Sequence, residues 1–374
     1  MVTSQNVIRV LVIDDSAYNR KSIKTMLESD PGIKVVGTAI NGEDGIKKLL
    51  ALKPDVVTLD LQMPGIDGFT FLRIVMSQYP IPVIVVSSKA GDHNVFKAME
   101  LGAADFLAKP TNKVSIELSN IQADLRMKVR SANMINLTNI RKRLESLSSK
   151  IEKGEIPPVP RVKEKKFVLE AKSKVYAAIA IGASTGGPSA LQKILAKIET
   201  QFLHPILVSQ HMPPGFTRAF AERLNRYSYL YVKEAENGEA LVSGWVYIAP
   251  GGYNMMVEKI KDEVTILLKP RASSDKYIPS VDILFSSVAA IFGESSLGII
   301  LTGMGNDGKN GLQRIKEEGG RTIAESEESS VVFGMPKEAI QSGYVEKILP
   351  IDLIPDEICE WAIGVTKEKI KTES

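Results

Sequence analysis

Two groups of side chains, far apart along the chain, have the types that covalent chemistry needs: Asp14, Asp15, Asp60 and Lys109, then Ser184, His211 and Asp307. Crowded carboxylates repel one another unless a cation holds them, and Mg²⁺ takes oxygen ligands while keeping several waters. Phosphoryl transfer to a carboxylate needs a nucleophile, a metal to neutralise the phosphoryl oxygens, and a further cation to hold the product. Asp60 suits the nucleophile, Asp15 with Asp14 acting through water suits the metal, and Lys109 suits the phosphate. The backbone carbonyl of Gln62 completes the expected metal shell. The later group instead offers a serine nucleophile, an imidazole base and a carboxylate to orient that base.

Such groups act only if the fold gathers them. Over 7–110, short apolar β-branched runs alternate with amphipathic stretches, as when parallel strands alternate with crossover helices. Strands are expected at 8–13, 34–38, 56–59, 83–86 and 105–107, and helices at 18–27, 43–52, 69–76 and 95–101, with Gly102 as the last helix stop. Groups at the carboxyl ends of such strands converge on one edge of an open parallel sheet. Asp14 and Asp15 end the first strand, Asp60 the third, and Lys109 follows the fifth. A plainer reading has Asp14 and Asp15 capping the helix near Tyr18 and Lys109-Pro110 forming only a turn.

These residues closely resemble the response-regulator receiver family through Val12-Ile13-Asp14-Asp15-Ser16, Leu59-Asp60-Leu61-Gln62-Met63-Pro64-Gly65-Ile66-Asp67-Gly68, Val86-Ser87-Ser88 and Lys109-Pro110. The resemblance covers 7–125 and implies a flavodoxin-like (βα)₅ domain, phosphorylated on Asp60 by a histidine kinase with Mg²⁺ at Asp14, Asp15, Asp60 and Gln62. It also implies that Ser87, Phe106 and Lys109 form the switch, Ser87 turning toward the phosphoryl group and Phe106 changing its packing.

A charged, Pro-containing linker is expected over 126–173. An amphipathic stretch through Ile116, Ile121, Leu125 and Val129 completes the first domain, and 144–150 extends helix. Ile156-Pro157-Pro158-Val159-Pro160 then breaks any helix, and 163–166 adds repelling charge. The second domain, 174–366, again reads as α/β, doubly wound and mainly parallel. Its strands are expected at 175–181, 206–209, 245–248, 264–268 and 297–301, and its helices at 189–198, 217–225, 281–292 and 311–317.

The first of those strands runs into Gly182-Ala183-Ser184-Thr185-Gly186-Gly187-Pro188. Glycines allow a sharp turn there, and free N–H groups at a helix start favour developing negative charge. Alone, that turn serves phosphate binding as well as acyl chemistry, and it lacks both the P-loop ending and the Gly-x-Ser-x-Gly elbow. A base is needed, and of the three histidines His93 lies in the first domain and His204 precedes a strand. His211 alone ends a second-domain strand. Asp307 follows another apolar strand, where helix N-capping is its alternative role.

This half closely resembles the catalytic domain of chemotaxis protein-glutamate methylesterases, over roughly 175–348. The matching segments are Ile181-Gly182-Ala183-Ser184-Thr185-Gly186-Gly187, Gln210-His211-Met212, Ala249-Pro250-Gly251-Gly252, Pro279-Ser280-Val281-Asp282 and Leu301-Thr302-Gly303-Met304-Gly305. The resemblance implies that Ser184 attacks a glutamyl methyl ester of a methyl-accepting chemoreceptor, with His211 as base then acid and Asp307 orienting it. It implies an oxyanion site at the Thr185 and Met304 amides, deamidation of receptor glutamines in many relatives, and no cofactor for hydrolysis. Asn254 departs from the family, which often carries histidine there, and the linker is long for it.

Composition sets the frame. At 374 residues, with 44% hydrophobic and 24% charged, the chain can build more than one ordinary globular core. With 47 basic against 44 acidic residues, the balance gives no ground for a nucleic-acid partner. A transcription regulator would need a basic recognition helix, which the strand-rich second half does not offer; a catalytically silent adaptor for receptor tails is the other alternative. The single cysteine, Cys359, reads as a packed thiol. Neither a signal peptide nor a membrane-spanning run is apparent, so a cytoplasmic protein without membrane insertion is expected.

Overall fold

The computed structural model describes residues 7–87, 93–109, 115–135, 175–199, 202–273 and 275–373. Two compact units divide between Ile156 and Pro157. The expectations for the proline-rich and charged stretch, for a helix at 144–150, and for Ser88 and Pro110 lie outside the described residues.

The first unit runs β1 (Ile8–Ile13), α1 (Ala17–Glu28), β2 (Ile33–Ala39), α2 (Gly42–Leu52), β3 (Val56–Asp60), α3 (Gly68–Gln78), β4 (Val83–Ser87), α4 (His93–Glu100), β5 (Asp105–Ala108) and α5 (Ser115–Asn133). Its sheet has the order β2-β1-β3-β4-β5, and every pairing is parallel. Consecutive residues Val10, Leu11 and Val12 are all fully buried, because helices cover both faces and leave no solvent side on which to alternate. The order reverses at β1, whose neighbours β2 and β3 lie on opposite sides, so the crevice for a ligand opens at the carboxyl ends of β1 and β3.

Helix starts in this unit are made by short polar side chains. Ser16, Asn41 and Asp67 each accept from the amide three residues on, at the starts of α1, α2 and α3. Ser16 therefore performs the capping that Asp14 and Asp15 could have performed. The final helix also runs past 125. The Arg130 guanidinium grips Asp30 at 2.7–2.9 Å, Arg126 Nε donates to the Met26 carbonyl at 3.0 Å, and buried Lys128 pairs with Asp105 at 2.8 Å. Those three cations, expected to begin the linker, fasten α5 to its own sheet and helices.

The second unit runs β6 (Ala178–Ala183), α6 (Gly187–Leu195), β7 (Ile206–Gln210), α7 (Thr217–Tyr227), β8 (Tyr231–Glu234), β9 (Trp245–Ile248), β10 (Tyr253–Ile260), β11 (Glu263–Pro270), α8 (Val281–Phe292), a 3₁₀ turn (Gly293–Ser295), β12 (Ser296–Ile300), α9 (Lys309–Glu317), β13 (Arg321–Glu325), α10 (Met335–Gln341), β14 (Lys347–Leu349) and α11 (Ile354–Glu373). Seven strands form one sheet in the order β14-β13-β12-β6-β7-β9-β8, with all pairings parallel. β10 and β11 stand apart as an antiparallel hairpin, so the strand expected at 264–268 belongs outside the main sheet.

Helix α8 is the centre of this core. Its Val281, Leu284, Phe285 and Val288 are fully buried among Met255, Val257 and Ile266 of the hairpin and Ala178, Ala180, Ile300 and Leu312 of the sheet layer and α9. Burial of that many apolar side chains, at roughly 1.5–3 kcal/mol each, fixes where the amino end of α8 sits. The order of this sheet also reverses, at β6, between β12 and β7. Among the described residues no helix is long and apolar enough to cross a membrane.

Candidate functional site

In the first unit, Asp14, Asp15, Asp60 and Lys109 meet at the carboxyl edge. Asp14 and Asp60 are almost completely buried and Asp15 is exposed, and one carboxylate oxygen from each lies within 4.8 Å of the others. Lys109 Nζ bridges Asp14 Oδ2 at 2.9 Å and Asp60 Oδ2 at 2.6 Å. Asp14 Oδ1 accepts from the Ser16 amide at 2.9 Å and the Asn19 amide side chain at 3.2 Å. Asp60 Oδ1 accepts from the Gln62 amide at 3.2 Å, so Gln62 meets Asp60 through its N–H.

Burial raises the Asp60 carboxyl above the usual carboxylate range, with Lys109 acting against that rise. Burial likewise works against the Lys109 charge, but hydrogen bonds to Asp60 and Asp14 hold its ammonium above the ordinary lysine value. Three carboxylates against one ammonium leave negative charge uncompensated in a pocket of oxygen donors. That donor set fits a hard divalent cation such as Mg²⁺.

Ser87 ends β4 one residue beyond Val86, the register partner of Asp60, and its carbonyl accepts from the Lys109 amide at 2.7 Å. Phe106 is packed inward, edge-on to Phe96 with centroids 6.0 Å apart.

In the second unit the sheet brings Ser184, His211 and Asp307 to neighbouring strand ends. Ala183 and Gln210 are register partners on β6 and β7, so the residues after them, Ser184 and His211, leave the sheet side by side. The His211 amide donates to the Ala183 carbonyl at 3.0 Å, and the Ser184 amide donates to the Thr302 carbonyl beyond β12 at 3.0 Å. Gln210 Nε2 donates to the carbonyls of both Ser184 and His211, at 3.0 and 3.1 Å.

His211 Nε2 lies 2.8 Å from Asp307 Oδ2, and its Nδ1 is buried without a hydrogen-bond partner. Asp307 is saturated. Its Oδ2 also accepts from the Val281 amide at 2.8 Å, and its Oδ1 from the Asp282 amide at 2.9 Å and the Ser280 hydroxyl at 3.1 Å. Burial alone would raise Asp307, but the His211 hydrogen bond and charge, with the Val281 and Asp282 amides, hold it below the usual carboxylate range. The helix-capping role considered for Asp307 is thus present too, on α8 rather than on the helix that follows it.

Thr185 is buried beside Ser184, and its carbonyl accepts from the Thr302 hydroxyl at 2.9 Å. Met304 follows Gly303, whose backbone presses on the serine. A Cβ at Gly303 would lie 2.7 Å from Ser184 Cβ and 2.5 Å from Met335 Sδ. Beneath this loop the Thr302 amide donates to Glu325 Oε2 at 2.8 Å and the Ser329 hydroxyl to Glu325 Oε1 at 2.9 Å. Burial pushes the Glu325 carboxyl up to about 7, against those two donors.

Several contributors carried no signal as isolated residues. Asn254, the departure from the expected histidine, is buried; its Nδ2 donates to Asp275 at 2.9 Å and its Oδ1 accepts from the Ser280 amide at 2.8 Å. It holds the segment that delivers Ser280 to Asp307. Ser280 also caps α8 by accepting from the Ile283 amide, and a Ser before an apolar helical run is the signal that could have revealed it. Tyr277 stacks on the His211 ring with centroids 5.0 Å apart and planes within 4°. His204 does not join these groups: it lies under α11, 5.8 Å from the Trp361 ring, and burial lowers its basicity. Cys359 is half-buried on the same helix, and burial raises its thiol.

Fold and sites together define a class: a receiver-type α/β unit with an acidic pocket at its carboxyl edge, joined to an α/β unit with a serine, histidine and aspartate at adjacent strand ends. Residues 10–119 match the response regulator receiver domain family and residues 179–358 the CheB methylesterase family. A relative from Geobacter sulfurreducens, protein-glutamate methylesterase/protein-glutamine glutaminase 3, is 49% identical over 94% of this chain and 97% of its own. One of the same description from Pyrococcus abyssi is 39% identical over 94% of this chain and 92% of its own. The crystal structure of the Thermotoga maritima CheB methylesterase catalytic domain matches at 42% identity with a TM-score of 0.48, covering 49% of this chain and 97% of that one. The chain belongs to the CheB methylesterase family, in the form that carries an amino-terminal receiver domain.

Proposed function

We propose that this protein hydrolyses glutamyl methyl esters on methyl-accepting chemoreceptors, and the side-chain amide of receptor glutamines by the same route, under control of phosphorylation at Asp60. The observation that carries the reading is the His211–Asp307 pair, at 2.8 Å, held at the strand end next to Ser184. Relatives bearing both activities in their descriptions cover nearly the whole chain, which supports the substrate class.

With Nε2 committed to Asp307, Nδ1 is the His211 nitrogen that takes the Ser184 proton as Oγ attacks the ester carbonyl carbon. The carbonyl oxygen takes the negative charge, and the Thr185 and Met304 amides are the donors assigned to it. Collapse breaks the bond to the methoxy oxygen, which leaves as methanol with the proton from His211. Water then attacks the acyl-enzyme, gives its proton to His211, and releases the glutamate side chain as Ser184 recovers its hydrogen. A glutamine substrate follows the same path with ammonia as leaving group. Asp307 stays ionised throughout, orienting the ring and balancing its positive charge.

In the first unit, Asp60 accepts the phosphoryl group from a histidine kinase, and Lys109 moves from pairing two carboxylates to pairing the new phosphate. Asp14, Asp15, Asp60 and the Gln62 carbonyl would hold a Mg²⁺, whose chemistry there would be to neutralise the phosphoryl oxygens. Ser87 and Phe106 are the residues through which the change is read. The domain assignment that goes with this is a receiver over 7–125, whose α5 runs on to Asn133, a linker over 126–173 and an esterase over 174–366.

Methanol release from methylated receptor, with and without a small phosphodonor and Mg²⁺, tests both halves. Wild type releases methanol and accelerates with phosphodonor, Ser184→Ala releases none, and Asp60→Asn shows no acceleration. Undiminished release by Ser184→Ala would sink the hydrolase reading; acceleration that survives in Asp60→Asn would sink the switch.

A further inference from the structure

We propose that Tyr277 is a positioning residue for His211: its ring lies flat against the imidazole, sets the plane in which the base points, and favours the cationic form that the reaction creates. This rests on the reading of His211 as the base.

The geometry is that of an offset stack, with centroids 5.0 Å apart and planes within 4°. A single hydrogen bond at Nε2 leaves an imidazole free to rotate about the line through that bond, and a flat aromatic neighbour removes that freedom. Tyr277 is itself pinned. Its hydroxyl lies 3.3 Å from Asn306 Oδ1, and its ring end closes over Gly305, where a Cβ would lie 2.6 Å from the phenolic oxygen. Gly305 has a φ of 97°, so the close approach and the left-handed turn both need glycine.

The same segment that supplies this ring supplies the donors on Asp307. Ser280 Oγ and the amides of Val281 and Asp282 hold the carboxylate, while Tyr277, three residues before Ser280, covers the face of the imidazole. Asn254 anchors the segment at Asp275 and Ser280. One loop therefore governs both the edge and the face of the imidazole–carboxylate pair.

An aromatic face attracts a cation, so the stack favours imidazolium over imidazole. Among the described residues, Asp307 meets this ring at Nε2, Asp282 at the start of α8 acts on Asp307, and Lys276 Nζ lies 4.8 Å from the Tyr277 centroid and competes for its π density.

The test compares Tyr277→Phe, which keeps the ring, with Tyr277→Leu, which keeps apolar bulk without it, in the full-length protein. NMR follows the titration of the three imidazoles, with His211 assigned through His211→Gln, and a fluorophosphonate probe follows the rate of Ser184 labelling across pH. Tyr277→Phe should retain the wild-type midpoint and rate. Tyr277→Leu should move the His211 midpoint down by about half a pH unit, shift the acid limb of the labelling profile the same way, and slow labelling about two- to fivefold. An unmoved midpoint in Tyr277→Leu overturns the proposal. So does an equal loss in Tyr277→Phe, which would transfer the effect to the hydroxyl bond with Asn306. A wild type whose Ser184 resists the probe while the midpoint shift appears would refute the hydrolase reading and leave the stack standing.

Discussion

Asp60 and Asp307 are both buried carboxylates at the carboxyl edge of a parallel sheet, yet their surroundings have opposite character. Asp60 has a 3.2 Å amide contact on one oxygen and a shared lysine on the other, and burial leaves it above the usual range. Asp307 has partners on every side, two amides, a hydroxyl and an imidazole, and is held below that range. The first arrangement keeps an oxygen available to react, and the second removes a carboxylate from reaction and makes it a fixed support. Burial decides neither outcome; the count and geometry of donors do.

The sharpest way to break this contrast is at Asp307. Asp307→Asn keeps the shape but presents an amide N–H or a neutral carbonyl to His211, so kcat should fall about 10⁴-fold with the fold intact by circular dichroism. A fall of less than tenfold would mean that the saturated carboxylate is structural.

Gly303→Ala comes next. The new methyl would meet Ser184 Cβ at 2.7 Å, and displacing the nucleophile by a fraction of an ångström should cost about 10²-fold in kcat with little change in KM. Steady-state kinetics on methylated receptor reads this directly, and an unchanged kcat would show that the serine has room to move.

Glu325 sharpens the comparison through stability rather than rate, because it is a third buried carboxylate with an intermediate set of partners. With its carboxyl raised to about 7, the folded protein keeps a proton that the unfolded chain has released. That contribution is fully present below the ordinary glutamate range and is lost as pH rises through about 7, an effect on the order of 3 kcal/mol. Urea midpoints of wild type and Glu325→Gln should therefore converge at low pH, and the wild type should lose ground to the variant from about pH 5 to pH 8. Parallel curves would show that folding leaves the Glu325 carboxyl where it stands in the unfolded chain.

The fold was readable where burial is two-sided. β1, β3, β4, β6 and β12 are mainly apolar and almost wholly buried, and their ends fell within a residue or a few of the expected ones. β13 and β14 were not expected; Arg321 and Lys347 open them with charge, and β14 is a three-residue edge strand. The β10 strand was missed because Tyr253 through Ile260 packs only one side against α8 and its register comes from its hairpin partner. α11 was not expected either, hidden by its polar last turns, although Ile354, Ile358 and Trp361 carry helical spacing.

Residues placed at strand ends were legible by the same logic, since position in a parallel sheet follows from the strand pattern. Tyr277, Asn254 and Glu325 were not, because each acts through a partner on a different element: Tyr277 on the residue after β7, Asn254 on the loop before α8, Glu325 on Thr302, two residues beyond β12. A loop residue far along the chain from its partner leaves no periodicity to read.

The tie between Asp307 and the first turn of α8 has an electrical consequence. The receiver pocket balances its carboxylates with Lys109, a side chain that can swing to another anion. Asp307 is balanced first by His211 and then by peptide groups at a buried helix terminus. Peptide dipoles neither titrate nor swing away, and buried ones are little screened by salt. The peptide share of that balance is a built-in bias voltage that stays constant when acidity or ionic strength changes, leaving the imidazole as the partner of Asp307 whose charge can vary.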